Sequence, residues 1–409
     1  MSNLLEGLRV IEATSYAAAS WAGAILADLG AEVIHLEHTD HGDPLRGVIG
    51  GLGITPAPGK LTPQAFDVLW EFENRNKRSL SLRLSHPQGQ EVVHRLVRTA
   101  DVFLTNILPS KRAELGVDYA TLAALSPRLI YASLTGYGDR GPLRDRTAFD
   151  HTAFWARSGL MHALVEGRGD LPWLRLATGD HMAGAILAGA IGFALFHRER
   201  TGQGQQVEVS LYHVGLAAMA IDLETVWAYG AYMPQGPREH PRDPLYNYYR
   251  CADQKWLLVS MARSQAYWPA FCRALGRPQL QDDPRFAHPE GRTANSKVLV
   301  ELLDHIFATR PRDEWGRIFD EHDVVWAPVQ TPEEAAQDPQ LFANELCYQV
   351  RHPAAGALPV LKPPFLFSET PSRYHRAAPG LGQDTDAILQ EIGYGPEEVA
   401  MLRQQGMVH

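Results

Sequence analysis

The stretch Gly7–Glu37, GLRVIEATSYAAASWAGAILADLGAEVIHLE, decides how this chain folds. Its opening run, LRVIE, is apolar and β-branched and reads as a strand. Ala17–Leu29 is alanine-rich and reads as a helix, and Gly30 stands where a helix C-cap belongs. EVIHLE then reads as a second strand. Strand, short helix and strand in this order form a βαβ unit, which puts parallel strands in one sheet.

The same alternation continues downstream. SLSLRL reads as a strand, HPQGQEVVHRLVRTA as a helix and DVFLTN as a strand; a short helix at 120–124 then leads into LIYASLTGYG. Repeated units of this kind predict an α/β, doubly wound, Rossmann-like sheet, in which ligands bind outside the carboxyl ends of the strands. This large domain is assigned to residues 1–228. The Gly- and Pro-rich region 40–65 reads as a long loop. A Pro-rich break, MPQGPREHPRDP at 233–244, introduces a smaller α+β domain assigned to 229–325. It holds a hairpin in NYYRCADQKWLLVSMA and helices near 264–275 and 295–307. Residues 326–409, beginning in VVWAPVQTPEEAAQDP, are assigned as a return to the large domain.

Composition sets the bounds on function. The 409 residues suffice for two or three domains with a large core. A content of 45% hydrophobic and 21% charged residues is that of a globular protein, not a disordered one. The net charge of −9 and the absence of a long basic run argue against nucleic-acid binding, so an anionic ligand must meet a local basic patch. Cys251, Cys272 and Cys347 are far apart and suggest a reducing, cytoplasmic setting. The start MSNLLEGLRV lacks the pattern of a signal peptide. The apolar run Met182–Phe196 is shorter than the roughly 20 residues of a membrane span and reads as a core helix.

The chemistry concentrates between Thr178 and Leu211, TGDHMAGAILAGAIGFALFHRERTGQGQQVEVSL. Asp180 falls where a long apolar helix begins. Unpaired N–H groups and the helix dipole favour an anion there, so Asp180 is expected to be ionised. It reads either as a helix cap or as a nucleophile. Asn74, Arg75, Asn76, Lys77 and Arg78 form a basic cluster before a strand, either a solvated face or a clamp on phosphates. Asp150 and His151 are adjacent acid–base candidates, although neighbouring helical residues do not face each other and a structural histidine fits equally. GYGDRG at 136–141 matches G-x-G-x-x-G but runs into Pro142 rather than a helix. The first βα turn, ATSYAAAS, has no glycine, so no NAD site is expected. No spacing of Cys, His and acids suggests a metal.

Taken together, GLRVIE, LADLGAEVIHLE, GDPLR, NRNKRSLSL, ADVFLTN, SPRLIYASLTGYGDRGP, SGLM, TGDHMAG, HRERTGQGQQVEVSL and LGQDTDAILQEIGY occur in an order and spacing that resembles the class III CoA-transferases, the group of formyl-CoA and carnitine CoA-transferases. The resemblance covers nearly the whole chain. It implies an acyl-CoA:carboxylate CoA-transferase in which Asp180 attacks the thioester of an acyl-CoA, passing through a mixed anhydride and an aspartyl-CoA thioester. Coenzyme A is then a substrate, and neither metal nor NAD takes part. The resemblance further implies an acyl-CoA donor, a carboxylic acid acceptor and an interlocked homodimer, with 40–65 and 233–244 as crossing segments. By position it assigns CoA contacts to Ala17 and Ala18, to His38, to Asn74–Arg78, to Asn106 and to Thr135, Gly136, Tyr137 and Gly138.

The departures narrow the reading. His38, Glu114 and Thr135 stand where some members carry basic residues. The segment LVSMARSQAYW has no glycine run of the formyl-CoA transferase kind, which points to a bulkier acyl group than formyl. α-Methylacyl-CoA racemases share the fold, but they read His-Asp where this chain reads Asp150-His151. Racemase or intramolecular acyl-CoA isomerase is thus the alternative activity, and a non-catalytic CoA-binding protein the alternative of another class.

Overall fold

A computed structural model describes residues 3–164, 171–172, 174–232 and 236–409. Six parallel strands form its main sheet: β1 (Arg9–Ala13), β2 (Glu32–Glu37), β3 (Arg78–Ser81), β4 (Val102–Thr105), β5 (Ile130–Thr135) and β6 (Gln205–Ser210), in the spatial order β3-β2-β1-β4-β5-β6. The expected strands are present, with ends shifted by a few residues. The order reverses between β1 and β4, and a crevice opens at such a point because the flanking crossovers leave in opposite directions.

Alternation along each strand divides the interior into two cores. Val10, Val102, Leu104, Ile130 and Ala132 face one core, which the Ala18–Asp28 and Thr178–Thr201 helices complete. Ile11, Phe103 and Tyr131 face the other, completed by the Pro87–Val97 and Tyr119–Leu125 helices and by the C-terminal helices Thr385–Glu391 and Pro396–Gln404. The Ala18–Asp28 helix is buried at every residue. It lies so close to the Thr178–Thr201 helix that a Cβ on Gly184 would stand 2.4 Å from the Ala18 carbonyl oxygen. Gly30 closes the Ala18–Asp28 helix at φ +102 with its N–H on the Ala27 oxygen, as its type predicts.

The Thr178–Thr201 helix departs from the core helix expected of it. It has 24 residues and by length and composition could cross a membrane. One side packs into the first core, while Met182, Ile186, Phe193 and Phe196 are exposed.

The chain divides into two compact units, Met1–Leu160, Trp173–Ala220 and Glu345–His409 in one and Met161–Pro172 with Ile221–Asn344 in the other. The second unit holds the antiparallel sheet β7 (Tyr246–Arg250), β8 (Trp256–Ser260) and β9 (Trp326–Val329). Helices Ser264–Ala274, Ser296–Phe307 and Arg312–Glu321 supply its core around Trp268, Phe307 and Trp315. The return to the first unit therefore comes at Glu345 rather than 326, because β9 pairs with β8 (Val329 opposite Trp256) and stays with the small sheet. Residues 233–235 of the expected crossing segment lie outside the described residues. In the first unit a hairpin, β10 (Cys347–His352) and β11 (Gly356–Leu361), precedes the C-terminal helices. Nothing in the sequence reading anticipated it.

Candidate active site

The crevice lies at the carboxyl ends of β1, β4 and β5. The turn that leaves β1 has no glycine, and it is held by side chains instead. Asn106 accepts from the Ser15 N–H at 3.0 Å and donates to the Ser15 oxygen at 2.7 Å. Asp43 accepts from the Tyr16 N–H at 3.2 Å. These bonds keep Tyr16 at φ +61, a conformation costly for a residue with a Cβ. Beside this turn a cavity of about 250 Å³ is lined by Tyr16, Ala18, Asn106, Thr135, Gly136, Arg146, Phe149 and Asp180, with Leu108, Leu134 and Leu211 among its apolar walls. A second hollow of about 260 Å³, lined by His38, Leu36 and Leu82, shares Ser15 and Ile107 with the first.

Asp180 is the third residue of its helix, not the cap. Ala177 precedes the helix at φ +60, and the N–H of Gly179 is taken by Asp150 Oδ1 at 3.1 Å. Gly179 permits this approach, since a Cβ there would stand 2.5 Å from that oxygen and 2.2 Å from the Phe154 ring. Asp150 is buried, and its Oδ2 has no hydrogen-bond partner among the described residues. Burial raises its carboxyl above the usual range, against the hydrogen bond from Gly179.

The expectation that Asp180 rests as a carboxylate is corrected. Burial, then the charges of Asp150 and Glu73, push it up to about 7, against an opposing pull from His181. The helix terminus favours the anion, but burial, reinforced by the two nearby acids, outweighs it.

The basic cluster is also corrected. Arg75 is fully buried and paired with Asp28 at 2.8 Å. Lys77 is fully buried too, donating to Glu12 Oε1 at 2.9 Å, the Ser20 oxygen at 2.8 Å and Asn74 Oδ1 at 3.1 Å. Arg78 pairs with Glu32 and Glu391. Asn76 binds Asp28 and the Arg373 oxygen and accepts from the N–H groups of His375 and Arg376, anchoring the returning C-terminal segment. Arg75 and Lys77 thus present no charge for a phosphate. Glu12 also meets His35 Nδ1 at 2.8 Å. Burial opposes the charge on His35, but Glu12 and Asp43 push it up to about 9.

The remaining candidates divide between the two hollows. Ala18, Asn106, Thr135 and Gly136 reach the cavity of Asp180; His38 lines the second hollow, stacked on His41 at 4.3 Å. Ala17 is buried in the turn beside them. The Thr135 hydroxyl accepts from the Gly138 N–H at 3.0 Å, and a Cβ on Gly136 would meet that of Ala148 at 2.2 Å. Tyr137 packs near Tyr212 and does not line the cavity. His151 Nε2 lies 3.2 Å from the Leu174 oxygen. Tyr16, Arg146 and Phe149 line the cavity without having been anticipated, and Glu73 bears on Asp180 through its charge; only the turn and loop positions of the first three carry a sequence signal.

A switch-point crevice with the Asp180 carboxyl in its wall, at a helix start, is the arrangement of a ligand-binding α/β protein. The profile of CoA-transferase family III matches residues 5–385, and the chain belongs to that family. It is 31% identical over 406 residues to the (R)-2-hydroxy-4-methylpentanoate CoA-transferase of Clostridioides difficile, across 99% of each chain. It is 32% identical over 406 residues to the cinnamoyl-CoA:phenyllactate CoA-transferase of Clostridium sporogenes, across 98% of this chain and 97% of that one. A CAIB/BAIF family protein from Brucella suis superposes with a TM-score of 0.82 at 28% identity, across 96% of this chain and 100% of the other. The chain is a CoA-transferase that moves CoA between carboxylic acids.

Proposed function

We propose that Asp180 is the nucleophile of this transfer and that CoA lies along the two adjoining hollows, its nucleotide end toward His38 and its thioester beside Asp180. The observation that carries the reading is the placement of Asp180 in the cavity wall at the β1/β4 switch point. One Asp180 oxygen attacks the thioester carbonyl, the C–S bond breaks, and the electron pair leaves on sulfur. The product is a mixed anhydride. The thiolate then attacks the aspartyl carbonyl, releasing the first acid as its carboxylate and leaving an aspartyl-CoA thioester. A second carboxylate runs the two steps in reverse. Covalent relay of this kind divides one hard exchange into easier ones. Partial burial limits loss of the anhydride to water.

The apolar walls, with Tyr16 and Phe149 in edge contact at 5.4 Å, favour an acyl group with an apolar body over formyl or oxalyl. Relatives acting on 2-hydroxy-4-methylpentanoate and phenyllactate fit that class. The exposed apolar side of the Thr178–Thr201 helix supports a homodimer as the working form.

The test is mass spectrometry of the protein after incubation with branched, aromatic and dicarboxylic acyl-CoAs. A competent donor leaves CoA joined through a thioester to the peptide that contains Asp180, and Asp180→Asn carries none. An adduct elsewhere, or no adduct during proven turnover, rejects the reading. Uptake of α-deuterium from D₂O without an acceptor acid would move the assignment to racemase chemistry.

A further inference from the structure

The residue that follows Asp180 is held by a buried acid on another element. His181 Nε2 and Glu73 Oε1 lie 2.7 Å apart, Glu73 belonging to the Val68–Asn74 helix. The Glu73 side chain is 1% exposed, and its Oε2 has no hydrogen-bond partner among the described residues. A buried carboxylate with half its lone pairs unmet is costly unless a cation sits against it. The His181 ring stands edge-on to Trp21 at 5.8 Å and to Phe72 at 5.2 Å, and those two rings stack on each other at 4.4 Å. These contacts orient the imidazole, whose side chain is 37% exposed.

Asp150, Glu73 and His181 are the groups whose charge bears on Asp180, and His181 is the one of opposite sign. We propose that His181, kept protonated by Glu73, is a positioning residue for the exchange, supplying a fixed positive charge beside the anion that passes between Asp180 and the CoA sulfur. This rests on Asp180 as nucleophile. Attack by the carboxylate moves one negative charge to sulfur, and the return attack moves it to the released acid. No proton is gained or lost, so a cation that stays in place serves every step.

The surroundings favour the charged imidazole. Burial works against it, but the hydrogen bond and charge of Glu73, with Asp180 and Asp150, raise it above its ordinary value. Trp21 and Phe72 bring no charge to the ring. Burial raises the Glu73 carboxyl above its usual range; the hydrogen bond and charge of His181, and then the charges of Lys77 and Arg75, pull against that rise.

The experiment combines an NMR titration of His181 in the full-length protein with exchange rates of two variants. The wild-type imidazole titrates above 6.5, and the midpoint falls in Glu73→Gln. Near pH 8 that variant loses about tenfold or more in kcat with KM for acyl-CoA unchanged. Its rate relative to wild type recovers as the pH falls and the imidazole takes its proton back. His181→Gln loses kcat at every pH without that recovery. A wild-type midpoint at or below 6.5, or a Glu73→Gln to wild-type ratio that does not change with pH, overturns the proposal. Should Glu73→Gln fail to fold, the wild-type titration and His181→Gln decide. An Asp180 adduct found together with a constant ratio refutes this role alone; absence of the adduct refutes the nucleophile.

Discussion

Replacing Asp180 with Asn should destroy exchange and stabilise the fold, by an amount that depends on pH. In the folded protein the Asp180 carboxyl stands at about 7 rather than 3.8, through burial and then the repulsion of Asp150 and Glu73. It holds its proton more tightly folded than unfolded. Wild type therefore loses stability as the pH rises from about 4 to about 7, and the loss is complete above that. The gap corresponds to roughly 4 kcal/mol as a ceiling. Water in the open cavity screens the charge, which leaves about 1–2 kcal/mol. Asn has no proton to lose and keeps the shape. Urea unfolding at pH 4, 6 and 8 should show the two proteins nearly equal at the lowest pH and the variant more stable by about 1–2 kcal/mol at the highest. Exchange should fall by at least about a thousandfold, as for a lost covalent nucleophile. A stability difference that is the same at all three pH values refutes the argument that Asp180 is forced to ionise against its surroundings.

Other outcomes follow from the same geometry. kcat/KM for the acyl-CoA should rise about tenfold per pH unit below about 7 and level above it, since the attacking carboxylate must be ionised; stopped-flow assays giving a flat profile between pH 5.5 and 8 would contradict this. Lys77→Met should cost about 1–3 kcal/mol in denaturant unfolding, because it leaves the Ser20 oxygen and Asn74 Oδ1 without their donor and removes one of the two cations, with His35, that pair with buried Glu12. Unchanged stability with a raised KM would return Lys77 to the ligand. Asn106→Ala removes both bonds that hold Ser15, and should cost about 1–3 kcal/mol and raise KM for acyl-CoA by about tenfold. A crystal structure of that variant with the turn unmoved and KM unchanged would remove Asn106 from the site.

What the sequence determined by itself is local or periodic. Strand–helix–strand periods and the Gly30 cap specify the βαβ units, because these depend on residues a few positions apart. Gly179, Asp180 and Gly184 lie on one continuous helix, so their order already places the carboxyl at its start. The tertiary structure decided what depends on partners distant in sequence. Arg75 and Lys77 look like a ligand clamp until Asp28 and Glu12, from other elements, take up their charge. β9 is claimed by β8, which moves the domain boundary. The ionisation of Asp180 is likewise shifted by its burial and then by Asp150 and Glu73, all of which come only with folding, since burial and Coulomb energy follow position in space rather than along the chain.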